Sequence, residues 1–203
     1  MFKKPVIVFE GIEGSGKSYH ISNVSKYLKK KKIDHIKIRE PGGSKNAEII
    51  RKLILNNKSD FNKNTDLLLY LAARSENIIL LKKNYKKKVI LIDRFIDSTI
   101  AYQHYGLGVN IKLINVINDH LLENMKIDFT FLNIVNKKNM VKRLKSRSIL
   151  NRYDRFNIKF YEKVQRGFIS LSKKKQKKYL IINSNLTPEF NKSIIIQKIK
   201  KLI

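Results

Sequence analysis

Five short apolar runs punctuate the chain: Val6–Glu10, His35–Arg39, Val89–Asp93, Phe129–Ile134 and Tyr179–Asn183. They have strand length and read as continuous rather than alternating runs, which predicts strands buried on both faces. Between them lie stretches of helical period over Lys17–Lys31, Asn46–Asn56, Thr65–Lys82, Ile111–Met125, Lys137–Arg147, Ile158–Lys174 and Pro188–Leu202. Strands separated by helical connections make βαβ units, so the pattern predicts one three-layer α/β domain spanning residues 1–203, with a mainly parallel sheet covered on both sides. No internal repeat or linker interrupts it. Such sheets bind ligands at the carboxyl ends of their strands, so the polar residues that follow strands carry the chemical information.

The first run breaks into Gly11-Ile12-Glu13-Gly14-Ser15-Gly16-Lys17-Ser18, which fits G-x-x-x-x-G-K-S/T in full, after a strand and opening a helix. The backbone N–H groups of such a loop and the helix start cradle phosphates. Lys17 is expected to bridge the β- and γ-phosphates of a purine triphosphate, and the Ser18 hydroxyl to ligate Mg²⁺. A second apolar strand ends in Asp93, suited to hold Mg²⁺ through water, and Arg94 follows with the forked donors that match an acceptor phosphate. Glu13 is the anomaly: an acid beside phosphates is repelled unless it faces a donor.

Composition adds less than its loudest number suggests. The net charge of +28 invites a nucleic-acid role. Yet the lysines are spread along the chain with an excess of isoleucine and asparagine, the signature of A- and T-rich codons. The runs at 29–32, 86–88 and 173–178 fall at expected helix ends or turns, where lysines form a solvated face and favour the helix dipole. No dedicated nucleic-acid surface is expected. The 42% hydrophobic and 9% aromatic contents are globular values. No apolar run approaches the roughly 20 residues of a membrane span. "MFKK" leads straight into a strand, leaving no room for a signal peptide. Zero cysteines exclude a disulfide scaffold and a thiolate metal site, and the four histidines are scattered. A cytoplasmic protein is expected.

Five stretches in collinear order, "FEGIEGSGKS" (9–18), "REPGGS" (39–44), "LLLYLAAR" (67–74), "IDRFIDSTIAYQ" (92–103) and "RLKSRSILNRYDRFNIKFYEKVQRGF" (143–168), resemble the bacterial thymidylate kinases over nearly the whole chain. The resemblance implies a P-loop fold with a five-stranded parallel core, a mobile lid at about 143–156, a homodimer, and transfer of the ATP γ-phosphate to dTMP for dTTP synthesis. It implies that Glu13 accepts from the 3′-hydroxyl of dTMP, which answers the anomaly. Tyr70 matches the ring that stacks on thymine and Arg74 the donor to a thymine carbonyl. At i and i+4, the two share one helix face. Ser98 and Gln103 match contacts in the base and phosphate region, with Thr99 beside them. Tyr102 matches the ring that crowds the sugar 2′ position, and Arg39 and Arg51 match groups near the acceptor phosphate. The P-loop has Gly14 and Ser15 where one subtype carries an arginine, so the charge on the transferring phosphate falls to the lid, with Arg143 beside the ATP phosphates and Arg147 and Arg152 on the γ-phosphoryl group.

The chain departs from the family pattern at Tyr19, at His104–Gly108, at Lys145 and Ser148 in the lid, and at Asn133. Three other readings stay open on the residues. They are a P-loop kinase for another nucleotide or nucleoside, an ATP-dependent nucleic-acid-binding protein, and a nucleotide binder without turnover.

Overall fold

The branched runs do form strands. The computed structural model describes residues 4–148 and 150–203, so that Met1–Lys3, read above as the lead-in, and Ile149 of the expected lid lie outside the described residues. β1 (Val6–Gly11), β2 (His35–Arg39), β3 (Val89–Asp93), β4 (Phe129–Ile134) and β5 (Tyr179–Asn183) make one parallel sheet ordered β2-β3-β1-β4-β5. Phe9 of β1 stands level with Asp93 of β3 and Phe131 of β4, so the loops leaving these three strands share one crevice.

Alternate side chains of the central strands feed two cores. Ile7 and Phe9 pack with Val24 and Leu28 of α1 (Lys17–Lys30) and with Ile195 and Ile199 of α8 (Pro188–Leu202). Val6, Val8, Ile90 and Ile92 pack with Ile78 and Leu81 of α3 (Lys63–Asn84), which lies beside α2 (Lys45–Leu55). On that same side, α7 (Ile158–Lys174) sets Phe160, Val164 and Phe168 against Leu132 and Tyr102. Burial on both faces holds for β1, β3 and β4 but not for the edges, where Lys37, Arg39, Ile181 and Asn183 are exposed. Polar residues there discourage pairing with another chain.

Asparagine, enriched by composition, is put to use as a helix cap. Asn62, Asn110, Asn136 and Asn157 accept from first-turn N–H groups of α3, α5 (Ile111–Leu122), α6 (Lys137–Lys145) and α7. α5 stops short of the expected Met125 because Glu123 turns to φ 49. The stretch after β3 carries an element the helical period does not announce. α4 (Ile96–Thr99) continues directly as a π-helix over Ile100–Gly106, in which Leu107 N–H reaches back to the Tyr102 carbonyl. The Glu40–Pro41 bond is cis. Among the described residues, no helix is long and apolar enough to cross a membrane.

Candidate active site

The loop after β1 needs its glycines. Gly11 has φ 141, and a Cβ there would sit 2.3 Å from the Asn133 carbonyl oxygen. Gly16, at φ 84, delivers the chain into α1, which lacks the side-chain cap that α2, α3, α5, α6, α7 and α8 all have. Its first N–H groups are therefore available to an anion. Lys17 is 6% exposed and folds back to donate to the Gly11 and Ile12 carbonyls at 2.8 and 2.9 Å. Burial, with the charge of Arg94, pushes its amine down to about 7. Ser18 Oγ donates to Asp93 Oδ2 at 3.2 Å.

Arg94 ties the loop to the opposite wall. It is a non-glycine residue at φ 68, and its guanidinium donates to the Gly11 carbonyl and to Glu13 Oε1, both at 2.8 Å. The other Glu13 oxygen accepts from the Tyr102 hydroxyl. Burial pushes the Glu13 carboxyl up, but Arg94, Lys17 and that hydroxyl outweigh it and hold the group below its ordinary value.

Behind Arg94, Glu10 is 1% exposed and accepts from the Phe95 and Ser98 N–H groups and the Ser98 hydroxyl, capping α4. Burial and the neighbouring Asp97 push its carboxyl from 4.5 up to about 7. Burial raises Asp97 as well, against the hydrogen bond from Tyr179. A carboxyl raised in the native state stabilises fully below about pH 4.5, and that stability is lost as pH rises through about 7. Glu10→Gln is expected to flatten this fall by about 2–3 kcal/mol between pH 5 and 8, read from urea denaturation at each pH. Curves that stay parallel to the wild type's would remove Glu10 as its source.

The wall facing the loop is built from α3, the cis turn and the π-helix. Arg74, 2% exposed, donates through Nε and Nη2 to Glu40, through Nη2 to Thr99 and through Nη1 to Asn118. Tyr70 meets Tyr153 edge-on with centroids 5.9 Å apart. Gln103 donates through Nε2 to Asp66 at 3.2 Å, while its buried Oε1 has no partner.

These groups surround a cleft of about 410 Å³. Of the residues singled out from sequence, Glu13, Gly14, Ser15, Gly16, Lys17, Ser18, Arg39, Arg51, Tyr70, Arg74, Asp93, Arg94, Ser98, Thr99, Tyr102, Gln103, Arg143 and Arg147 line it. Gly11 and Ile12 lie beneath, offering carbonyls to Lys17. Arg39 pairs with Glu48 at 2.8 Å and Arg51 donates to the Pro41 carbonyl. Arg143 clasps the Gly14 and Ser184 carbonyls at 2.8 and 2.7 Å, and Arg147 pairs with Asp154. Arg152 is not brought to the cleft wall: its guanidinium pairs with Asp66 and lies over the Phe61 and Tyr153 rings. Sequence reading passed over Glu10, Glu40, Asp66, Asn118 and Tyr153. Glu10, Glu40 and Tyr153 stand inside the collinear stretches, whereas nothing local marks Asp66 or Asn118, whose partners are tens of residues away.

A phosphate cradle at the carboxyl end of a parallel sheet, faced by an acid–arginine pair and opening into one cleft whose other wall carries Tyr70, Arg74, Tyr102 and Gln103, defines a P-loop nucleotide kinase. The thymidylate kinase family model matches residues 9–195. The chain is 37% identical over 177 residues to the thymidylate kinase of Thermosipho africanus, covering 86% of this chain and 88% of that one. It is 35% identical over 199 residues to that of Acholeplasma laidlawii, covering 96% and 98%. The crystal structure of thymidylate kinase from Ehrlichia chaffeensis superposes with a TM-score of 0.78 at 29% identity, covering 97% of this chain and 98% of that one. The chain belongs to the thymidylate kinase family, and its reaction is phosphoryl transfer from ATP to dTMP, giving ADP and dTDP.

Proposed function

We propose that the cleft holds ATP on the P-loop side and dTMP on the Tyr70–Gln103 side, and that its residues divide the work as follows. The observation that carries this reading is a matched pair of free groups on the acceptor wall. Of the five N–H donors of a guanidinium, Arg74 spends four on Glu40, Asn118 and Thr99, which leaves one on Nη1. Gln103 keeps one free acceptor, Oε1, while the unpartnered Glu40 Oε1 and Asn118 Nδ2 belong to the residues that hold Arg74. One donor and one acceptor complement the O4 and N3–H edge of thymine.

Tyr70 offers its ring to the base, Tyr102 crowds the sugar at C2′, and Glu13 keeps lone pairs for the 3′-hydroxyl beside those given to Arg94 and Tyr102. Arg94, with Arg39, Arg51 and Ser98 nearby, receives the acceptor phosphate. On the donor side the loop N–H groups take the phosphates, and Lys17 leaves the Gly11 and Ile12 carbonyls for the β- and γ-phosphates, regaining a full charge. The hydroxyl of Ser18 and the carboxylate of Asp93, 3.2 Å apart, are the hard oxygen donors that Mg²⁺ takes alongside phosphate oxygens and water. When bound, the ion would neutralise charge on the phosphates. Arg143 stands at the hinge, and closure of the lid over 143–156 carries Arg147 from Asp154, and Arg152 from Asp66, onto the γ-phosphoryl group while water is excluded. An oxygen of the dTMP phosphate, ionised near neutral pH, attacks in line without a general base, so positioning and electrostatics carry the catalysis.

A cytoplasmic setting follows from the two substrates. A homodimer follows from an apolar face: Ile49 and Leu53 of α2, Leu68 and Ile79 of α3, and Leu113 and Val116 of α5 are all exposed, on three helices packed side by side. Ile79→Glu with Val116→Glu is expected to give a monomer in sedimentation equilibrium; an unchanged mass would place the interface elsewhere.

The reading is tested by ADP production with ATP and Mg²⁺ against dTMP, dUMP, dCMP, dGMP, AMP, UMP and thymidine. Strong turnover with dTMP and weaker turnover with dUMP are expected. Preference for another acceptor would overturn the base-pocket roles, and ATP binding without turnover on any acceptor would overturn the phosphoryl-transfer roles.

A further inference from the structure

Asp66 lies one turn before Tyr70 on the same face of α3, and it is 2% exposed although Lys63 and Asn64 beside it are in water. A buried carboxylate is costly unless its oxygens are filled. Here Oδ2 accepts from the Tyr153 hydroxyl and from Gln103 Nε2 at 3.2 Å, and Oδ1 accepts from Arg152. An ionised carboxylate accepts only. With the Tyr153 hydroxyl, which gives its proton to Asp66 and so accepts from the same Nε2 at 3.4 Å, it decides which end of the Gln103 amide turns toward it, and the end left over is the unpartnered Oε1.

We infer that Asp66 is a positioning residue for acceptor selection: by holding Nε2 of Gln103 it keeps Oε1 free for the N3–H of thymine and sets it against the N3 lone pair of cytosine. This rests on the reading of Gln103 as a base contact. A turned amide would offer an N–H at the same place and suit cytosine instead. The same carboxylate holds Arg152 and Tyr153, so base reading and the resting place of the lid depend on one side chain.

The test is kcat and KM for dTMP and dCMP in the wild type, Asp66→Asn, Asp66→Glu and Gln103→Leu. Asparagine has a donor as well as an acceptor and permits either amide orientation. Asp66→Asn is expected to narrow the dTMP-to-dCMP ratio of kcat/KM by about tenfold, with KM for dTMP rising and KM for dCMP falling. Asp66→Glu, still acceptor-only, is expected to restore the ratio. An equal loss on both acceptors would make Asp66 a packing or lid residue and overturn the inference. A ratio that collapses in Gln103→Leu but holds in Asp66→Asn would overturn the inference while sparing the reading of Gln103. A ratio unchanged in Gln103→Leu would overturn both. If Asp66→Asn fails to fold, the ligand-free wild type decides by NMR. Contacts between the Gln103 side-chain amide protons and the Tyr153 ring support the inference, and their absence in an assigned spectrum overturns it.

Discussion

Arg94→Ala is expected to lower kcat/KM for dTMP by about 10³-fold, with lysine at the same place restoring no more than a small part of the loss. Two demands meet on this guanidinium. It bridges the Gly11 carbonyl and Glu13 on the cleft wall, and in the proposed roles its remaining donors are the forked group offered to the acceptor phosphate. A lysine carries charge to the same region but cannot serve the loop carbonyl, the carboxylate and a phosphate in one plane. Removal also strands Glu13, 12% exposed, without its counter-ion, a loss of about 2 kcal/mol after allowance for partial exposure. The double change Glu13→Gln with Arg94→Ala separates the effects. Chemical denaturation is expected to recover toward wild type while turnover stays low. Turnover that recovered with stability would mean Arg94 serves the fold and not the phosphate.

Lys17→Met is expected to cost at least as much in turnover, and to move stability the other way. In the ligand-free protein Lys17 is buried, and burial together with Arg94 disfavours its charged form. Replacing it with an apolar side chain of similar length removes that desolvation, so the ligand-free variant is expected to unfold at a temperature no lower than the wild type. The upward shift that ATP gives the wild type should vanish. A variant that melts lower yet still responds to ATP would contradict both halves of the argument.

What sequence made legible is what local chemistry sets. All five strands were readable from branched apolar runs, and α7 and α8 from their helical period over Ile158–Lys174 and Pro188–Leu202. The P-loop was readable because its residues are contiguous. The failures share the opposite cause. Half-exposed β2 and β5 look like central strands because edge or centre is a matter of sheet order. The resting place of Arg152 was hidden in the same way, because its partner Asp66 lies 86 residues away and an acid in the first turn of a helix reads as a solvated charge. The π-helix escaped because a 3.6-residue period cannot reveal a wider one.

That π-helix makes the active site sensitive to length in a way substitutions do not probe. Tyr102 and Gln103 are consecutive residues that both serve the cleft, and the wider turn from Ile100 to Gly106 accommodates them before the Gln103 carbonyl accepts from Val109. Gly106, with α7 Phe160 2.6 Å from where a Cβ would stand, locks that turn in place. Removing a single residue from 104–108 is expected to restore an ordinary helix and rotate one of the two away from the cleft. A lineage is therefore expected to keep the number of residues in this turn even where it exchanges their side chains.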